Sequence, residues 1–220
     1  MLIPFQVDVP MYRWPFANFA IIAITVFYSL GGLGNPDFVL RAMLDGSSPA
    51  GLVTYMLVHG DFMHLLGNMV FLWVFGNAVC AKVGNGPYVL LYIAAGVVGG
   101  FVHMLFSGAP TIGASGAING VFGMYLMLYP LNNVSCFYLI FPMPPLCGTF
   151  SLSGMWIILL WVVFDIWGVA AGGGSVAYWA HLGGFAAGFG ACILLLRLEW
   201  IRMTATECSL ADVFHGRTPS

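Results

Sequence analysis

Apolar residues along this chain fall in long blocks and do not alternate with polar ones. Six blocks stand out: about Phe16 to Leu33, Leu52 to Val79, Tyr88 to Phe106, Ser115 to Tyr129, Met155 to Ala171, and Ala177 to Arg197. A bilayer-crossing helix needs about 20 such residues, with roughly 17–25 the common range. The fourth block is short by that measure. The run Phe137–Phe141 is too short to span and precedes Pro142, Pro144 and Pro145, so it reads as part of a loop. The pattern predicts an all-α polytopic membrane protein, a six-helix bundle over residues 16–197. It predicts a 1–15 segment too short to fold and a short tail over 198–220, polar and loose from Met203 onward. The first block reads as a span, not a cleaved signal, because of its length and because Pro4, Asp8 and Pro10 precede it.

Composition strengthens this picture. The chain has 220 residues, 60% of them hydrophobic and 6% charged. Soluble domains carry about 25% charged residues. The formal net charge of −2 argues against a nucleic-acid partner. Cys80, Cys136, Cys147, Cys192 and Cys208 lack metal-ligand or CxxC spacing, so neither a metal, a cofactor nor a disulfide is inferred. Basic residues set the orientation. With six spans, Arg13, Lys82, Arg197, Arg202 and Arg217 fall on one side and only Arg41 on the other. The positive-inside rule then places both termini in the cytoplasm.

Polar groups inside a membrane are costly, so each needs a reason. Those in or beside the blocks are His59, His64, Asn68, His103, Ser115, Asn119, Asp165 and His181. On the six-span topology His64, Asn68, Ser115 and His181 share one depth near the outer face. Ser115, Asn119 and Gly123 recur at every fourth position beside Gly116 and Gly120, and His181, Gly184 and Gly188, spaced by three and four, form a similar stripe. Small-residue stripes let helix backbones approach closely. By themselves they read as packing motifs. They also offer a way for Ser115 to face His181, and a serine hydroxyl is inert until a neighbouring base accepts its proton.

At these residues the chain resembles the rhomboid family of intramembrane proteases. Gly113-Ala114-Ser115-Gly116 is similar to the family's GxSG nucleophile motif. Ala180-His181-Leu182-Gly183-Gly184, followed by Gly188, resembles its catalytic-histidine motif. His59, His64 and Asn68 match its HxxxxHxxxN spacing. Ile3-Pro4, Asp8, Pro10, Arg13, Pro15 and Asn18 resemble small bacterial members. The resemblance implies a Ser115–His181 dyad, with the oxyanion held by the Ser115 backbone N–H, His64 and Asn68. It implies substrates that are transmembrane segments of other proteins, cut near the outer face, and residence in the lipid bilayer of a bacterial plasma membrane. His59, five residues before His64 and off its face, reads as structural, as does His103.

The chain also departs from the pattern. Asn119 stands where the family usually has an aromatic that packs on the histidine. It either hydrogen-bonds His181 or makes a helix–helix bond elsewhere. Asp165 lies near the depth of His181. It either completes a triad or serves as a polar anchor; the family works as a dyad and gives no support to the triad. Two other functions compete with proteolysis: an inactive rhomboid-like protein that binds transmembrane helices, and a small-solute channel or transporter. The polar cluster does not continue to the cytoplasmic side, and no internal repeat is evident, which disfavours the channel or transporter.

Overall fold

The computed structural model describes residues 2–140, 146–172, 174 and 176–217. In chain order the elements are β1 (Leu2–Val7), α1 (Phe16–Gly32), α2 (Pro36–Ala42), α3 (Gly51–Thr54), α4 (Phe62–Val83), α5 (Asn85–Phe106) and α6 (Ser115–Leu128). Then follow β2 (Asn133–Ile140), β3 (Leu146–Ser153), α7 (Gly154–Ala170), α8 (Tyr178–Arg197) and α9 (Leu210–Phe214). Among the described residues α4, α5 and α8 are long and apolar enough to cross a membrane; α1, α6 and α7 are shorter apolar helices.

The second apolar block is not one helix. It starts as α3 and a 3₁₀ turn, Tyr55–Leu57, and breaks at Val58–Asp61. Gly60 interrupts the helix, and the Asp61 side chain accepts the His64 N–H to start α4 afresh. Over Leu72–Gly76 α4 loosens into a π-helical stretch. Buried Asn18 of α1 donates to the Leu72 carbonyl at 2.9 Å and to Asn77 Oδ1 at 2.8 Å, and accepts from the Tyr88 hydroxyl at 2.6 Å. One side chain thus binds α1, α4 and α5 together.

α6 forms the centre, with every residue from Gly116 to Leu128 buried. Fourteen residues span about 21 Å at 1.5 Å each, short of a bilayer core of about 30 Å. Its backbone touches that of α8. A Cβ on Gly184 would lie 1.9 Å from the Gly116 carbonyl oxygen, and one on Gly188 would lie 2.0 Å from that of Gly120. The two glycine stripes therefore meet face to face. α7 packs more lightly: Gly154, Ile157, Ile158, Asp165 and Gly168 are its buried residues.

Four expectations need correction. The fold is not all-α: β1, β2 and β3 form an antiparallel sheet in that order. The 1–15 segment contributes β1, with a register shift between Pro4 and Gln6, because an edge strand tolerates a residue without an N–H. The run read as a loop is strand over Phe137–Ile140; Phe141, Pro142, Pro144 and Pro145 lie outside the described residues. Alternation explains the strand, since Val134 and Cys136 are buried on one face.

The tail is likewise not loose over its described part. Glu207 pairs with Lys82 at the end of α4 and accepts from the Tyr129 hydroxyl at 3.3 Å and from the Thr204 N–H at 2.8 Å. The Lys82 ammonium lies 4.8 Å from the centre of the Tyr12 ring. Ser209 and Asp212 form a capping box that starts α9.

Two outcomes are expected. Gly184→Ala should lower stability by about 1–3 kcal/mol through overpacking. Gly190→Ala on the same helix, whose Cβ would meet nothing within 4 Å, should be neutral or stabilising. Thermal unfolding in detergent measures both, and equal midpoints would refute the backbone contact. Burial opposes the Glu207 charge, but hydrogen bonds from Lys82 and Thr204 and the Lys82 charge outweigh it, so its pKa lies below the ordinary value. A carboxylate depressed on folding contributes stability above its unfolded pKa and loses it as pH falls through the folded one. Limited proteolysis of the tail should therefore stay slow at neutral pH and accelerate on acidification below about pH 4. Glu207→Gln should be cut faster at pH 7; a rate equal to wild type would show that the Glu207 contacts do not hold the tail.

Candidate active site

Ser115 is the first residue of α6, so its position depends on the loop before it. That loop is fixed at three points. Leu44 and Thr111 exchange backbone hydrogen bonds of 3.0 and 2.9 Å, and the Gly113 N–H donates to the Tyr55 carbonyl at 2.8 Å. The Ala114 N–H donates to His59 Nε2 at 3.3 Å. An amide N–H only donates, so Nε2 accepts and the His59 hydrogen sits on Nδ1. Nδ1 then donates to Ser29 Oγ at 2.8 Å, and Ser29 donates to the Leu57 carbonyl at 2.8 Å. This chain of bonds runs from α1 to the residue before Ser115. Its members are buried, with His59 1% exposed and Ser29 1%.

Gly113 has φ +114, and a Cβ there would lie 2.9 Å from both Cε1 and Nε2 of His64. The position requires glycine for conformation and for space. His64 and Asn68, one turn apart on α4, line the same cleft as Ser115 and His181. The cleft holds about 440 Å³ between α4, α6, α7 and α8. Asn68 Nδ2 is buried there without a hydrogen-bond partner among the described residues. An unpaired buried donor is unusual and calls for an explanation.

Ser115 Oγ lies 2.8 Å from His181 Nε2, and Asp165 Oδ1 of α7 lies 2.8 Å from His181 Nδ1. The α6–α8 backbone contact supplies the first approach. Tyr178, at the start of α8, stands perpendicular to the His181 ring, with centroids 6.2 Å apart at 84°.

Neither reading of Asn119 is seen among the described residues: it bonds neither His181 nor another helix. Its amide donates to the Ser115 carbonyl at 3.0 Å, one turn back on its own helix, the local bond such side chains favour. His103 bonds the Ala109 carbonyl at 2.9 Å and lies outside the cleft lining. Two residues escaped the sequence reading: Tyr55, whose carbonyl holds Gly113, and Tyr178. Neither occurs in a motif. The part His59 plays in holding Ala114 was also not foreseen, although its place in the histidine spacing was a signal.

Residues 47–198 match the sequence model of the rhomboid domain. The chain belongs to the rhomboid family. It is 30% identical to mitochondrial rhomboid protein 1 of Saccharomyces cerevisiae over 63% of this chain and 39% of that protein. It is 30% identical to rhomboid protease GluP of Bacillus subtilis over 60% of this chain and 27% of that protein. It is also 30% identical to rhomboid protease GlpG of Klebsiella pneumoniae over 61% of this chain and 44% of that protein. The aligned part thus spans less than half the length of each of these relatives.

The His59 relay yields a direct check. His59→Phe keeps a ring but leaves the buried Ala114 N–H without its acceptor, a loss of about 1–3 kcal/mol. Thermal unfolding should report it, and an unchanged midpoint would mean that Ala114 does not depend on His59.

Proposed function

We propose that this chain is an intramembrane serine endopeptidase that cuts transmembrane segments of other membrane proteins. The observation that carries the reading is the 2.8 Å approach of Ser115 Oγ to His181 Nε2 in a cleft at the start of a buried helix. Ser115 acts as nucleophile and His181 as general base, then as general acid to the leaving amide nitrogen. The tetrahedral oxyanion is held by the Ser115 backbone N–H, His64 and Asn68. Helix N-terminal N–H groups lack intrahelical partners and favour negative charge. The unpaired Asn68 amide supports this assignment: a donor aimed at charge present only during reaction has no partner at rest.

In this reading α1, α4, α5, α6, α7 and α8 are the six spans. The basic residues place both termini in the cytoplasm, and the site opens toward the outer face of a bacterial plasma membrane. A short α6 lets Ser115 sit below the membrane surface, where irregular backbone is tolerated beside protein or water. Water must reach that depth to hydrolyse the acyl-enzyme. The name protease carried by the GluP and GlpG relatives agrees with the chemistry. The inactive alternative would need no serine within hydrogen-bond reach of an imidazole.

Wild-type protein should react with a fluorophosphonate probe and cleave a generic transmembrane substrate; Ser115→Ala should do neither. Asn68→Ala should retain binding and lose about 100- to 1000-fold in rate. Absence of labelling and cleavage in folded wild type would reject the protease reading.

A further inference from the structure

We propose that Asp165 is a positioning residue that makes the site a Ser115–His181–Asp165 triad, in contrast to the dyad by which the family works. The proposal rests on the protease reading. Its basis is the arrangement around the His181 ring. Both ring nitrogens are engaged, Nε2 by Ser115 Oγ and Nδ1 by Asp165 Oδ1, each at 2.8 Å. A carboxylate only accepts hydrogen bonds, so Nδ1 carries the ring hydrogen and Nε2 presents its lone pair to the serine hydroxyl. That is the tautomer a general base must have. Without the carboxylate, the ring has no partner among the described residues that selects it.

Among the described residues, the alternatives for holding the ring are occupied elsewhere or absent. Asn119, where the family has a packing aromatic, spends its amide on the Ser115 carbonyl. Tyr178 stands perpendicular to the ring, and the ring's hydrogen bonds among the described residues go to Asp165 and Ser115 instead. A polar anchor for α7 would be expected at a helix end or beside a cation. Asp165 instead sits five residues before the end of α7, about 7.5 Å in, with a side chain 8% exposed against an imidazole 13% exposed. A carboxyl in such a place is costly unless partnered, and its hydrogen-bond partner here is the base itself. The chain order Ser, Asp, His is no obstacle, since triads are recognised by geometry and occur in several orders.

The proton path balances without Asp165 gaining a proton. As Ser115 Oγ bonds to the scissile carbonyl carbon, its proton moves to His181 Nε2. The carboxylate faces the imidazolium so formed through Nδ1–H. When the carbon–nitrogen bond breaks, the Nε2 proton goes to the leaving amine. Water then repeats the sequence on the acyl-enzyme.

The test combines kinetics with a spectrum of the unaltered protein. In Asp165→Asn the amide donates to Nδ1 and enforces the wrong tautomer. The expected result is a fall of about 10²–10⁴ in kcat, with KM and the thermal midpoint near wild type. Asp165→Glu should recover part of the loss, as a carboxylate requirement demands. Nitrogen-15 NMR of histidine-labelled wild type should place the His181 hydrogen on Nδ1 in a low-field hydrogen bond, and Asp165→Asn should abolish that resonance. Active wild type with Asp165→Asn kcat within about threefold would overturn the triad while leaving the protease reading intact. So would a wild-type spectrum with the hydrogen on Nε2, whether or not the variant folds. Inactive wild type, or cleavage by Ser115→Ala, would instead reject the protease reading and the triad with it.

Discussion

The contact between the backbones of α6 and α8 is the constraint on which the rest depends. At Gly184 and Gly188 even a methyl group would enter the carbonyl oxygens of Gly116 and Gly120. Helices in lipid gain little from burying apolar side chains against each other, so association relies on close packing and polar contacts. The glycines supply the close packing, and Ser115 and His181 sit at the end of the same seam. Separation of the two helices by the width of one side chain would exceed hydrogen-bond reach between them. Packing and chemistry are therefore set by one surface.

A second layer of order surrounds the serine. Helix packing fixes α6 as a body but leaves its first residue free to follow the preceding loop. That freedom is removed by Tyr55, His59 and the Leu44–Thr111 bridge, which hold backbone groups of Thr111, Gly113 and Ala114. The bonds come from parts of the chain remote from α6, so the loop keeps its shape without regular structure of its own. A cleft with fixed donors and an unpaired Asn68 amide suits preorganised stabilisation of charge, because little has to move when the charge appears.

Much of the helical framework was legible in the apolar blocks, and the glycine stripes correctly indicated which helices touch. Ser115 and His181 were legible because their motifs lie on those stripes. The sheet was not, since an apolar run beside prolines carries no sign of a partner strand so distant in sequence. The break at Val58–Asp61 was hidden because apolar residues continue on both sides of it, and Asp61 becomes a cap only when the helix is seen to restart. Asn119 and Asp165 illustrate the limit at the site. Both lie at suitable positions, but a local bond to the preceding turn claims Asn119, whereas Asp165 has no such option from a carboxylate and reaches across to α8. Depth can be read from sequence; the competition for hydrogen bonds cannot.

The sheet also has a bearing on biogenesis. β2 and β3 are neighbours in sequence and can pair as soon as both emerge. Asp8, just after β1, bonds Asn133 across 125 positions. At roughly 5–20 residues per second, β1 waits about 6–25 seconds after its own synthesis before its partner exists. During that time α1, α4, α5 and α6 are made, and the strand must remain on the side of the membrane where β2 will appear. Its addition to the hairpin is thus a late closure, in which a strand made early is sealed to one made much later.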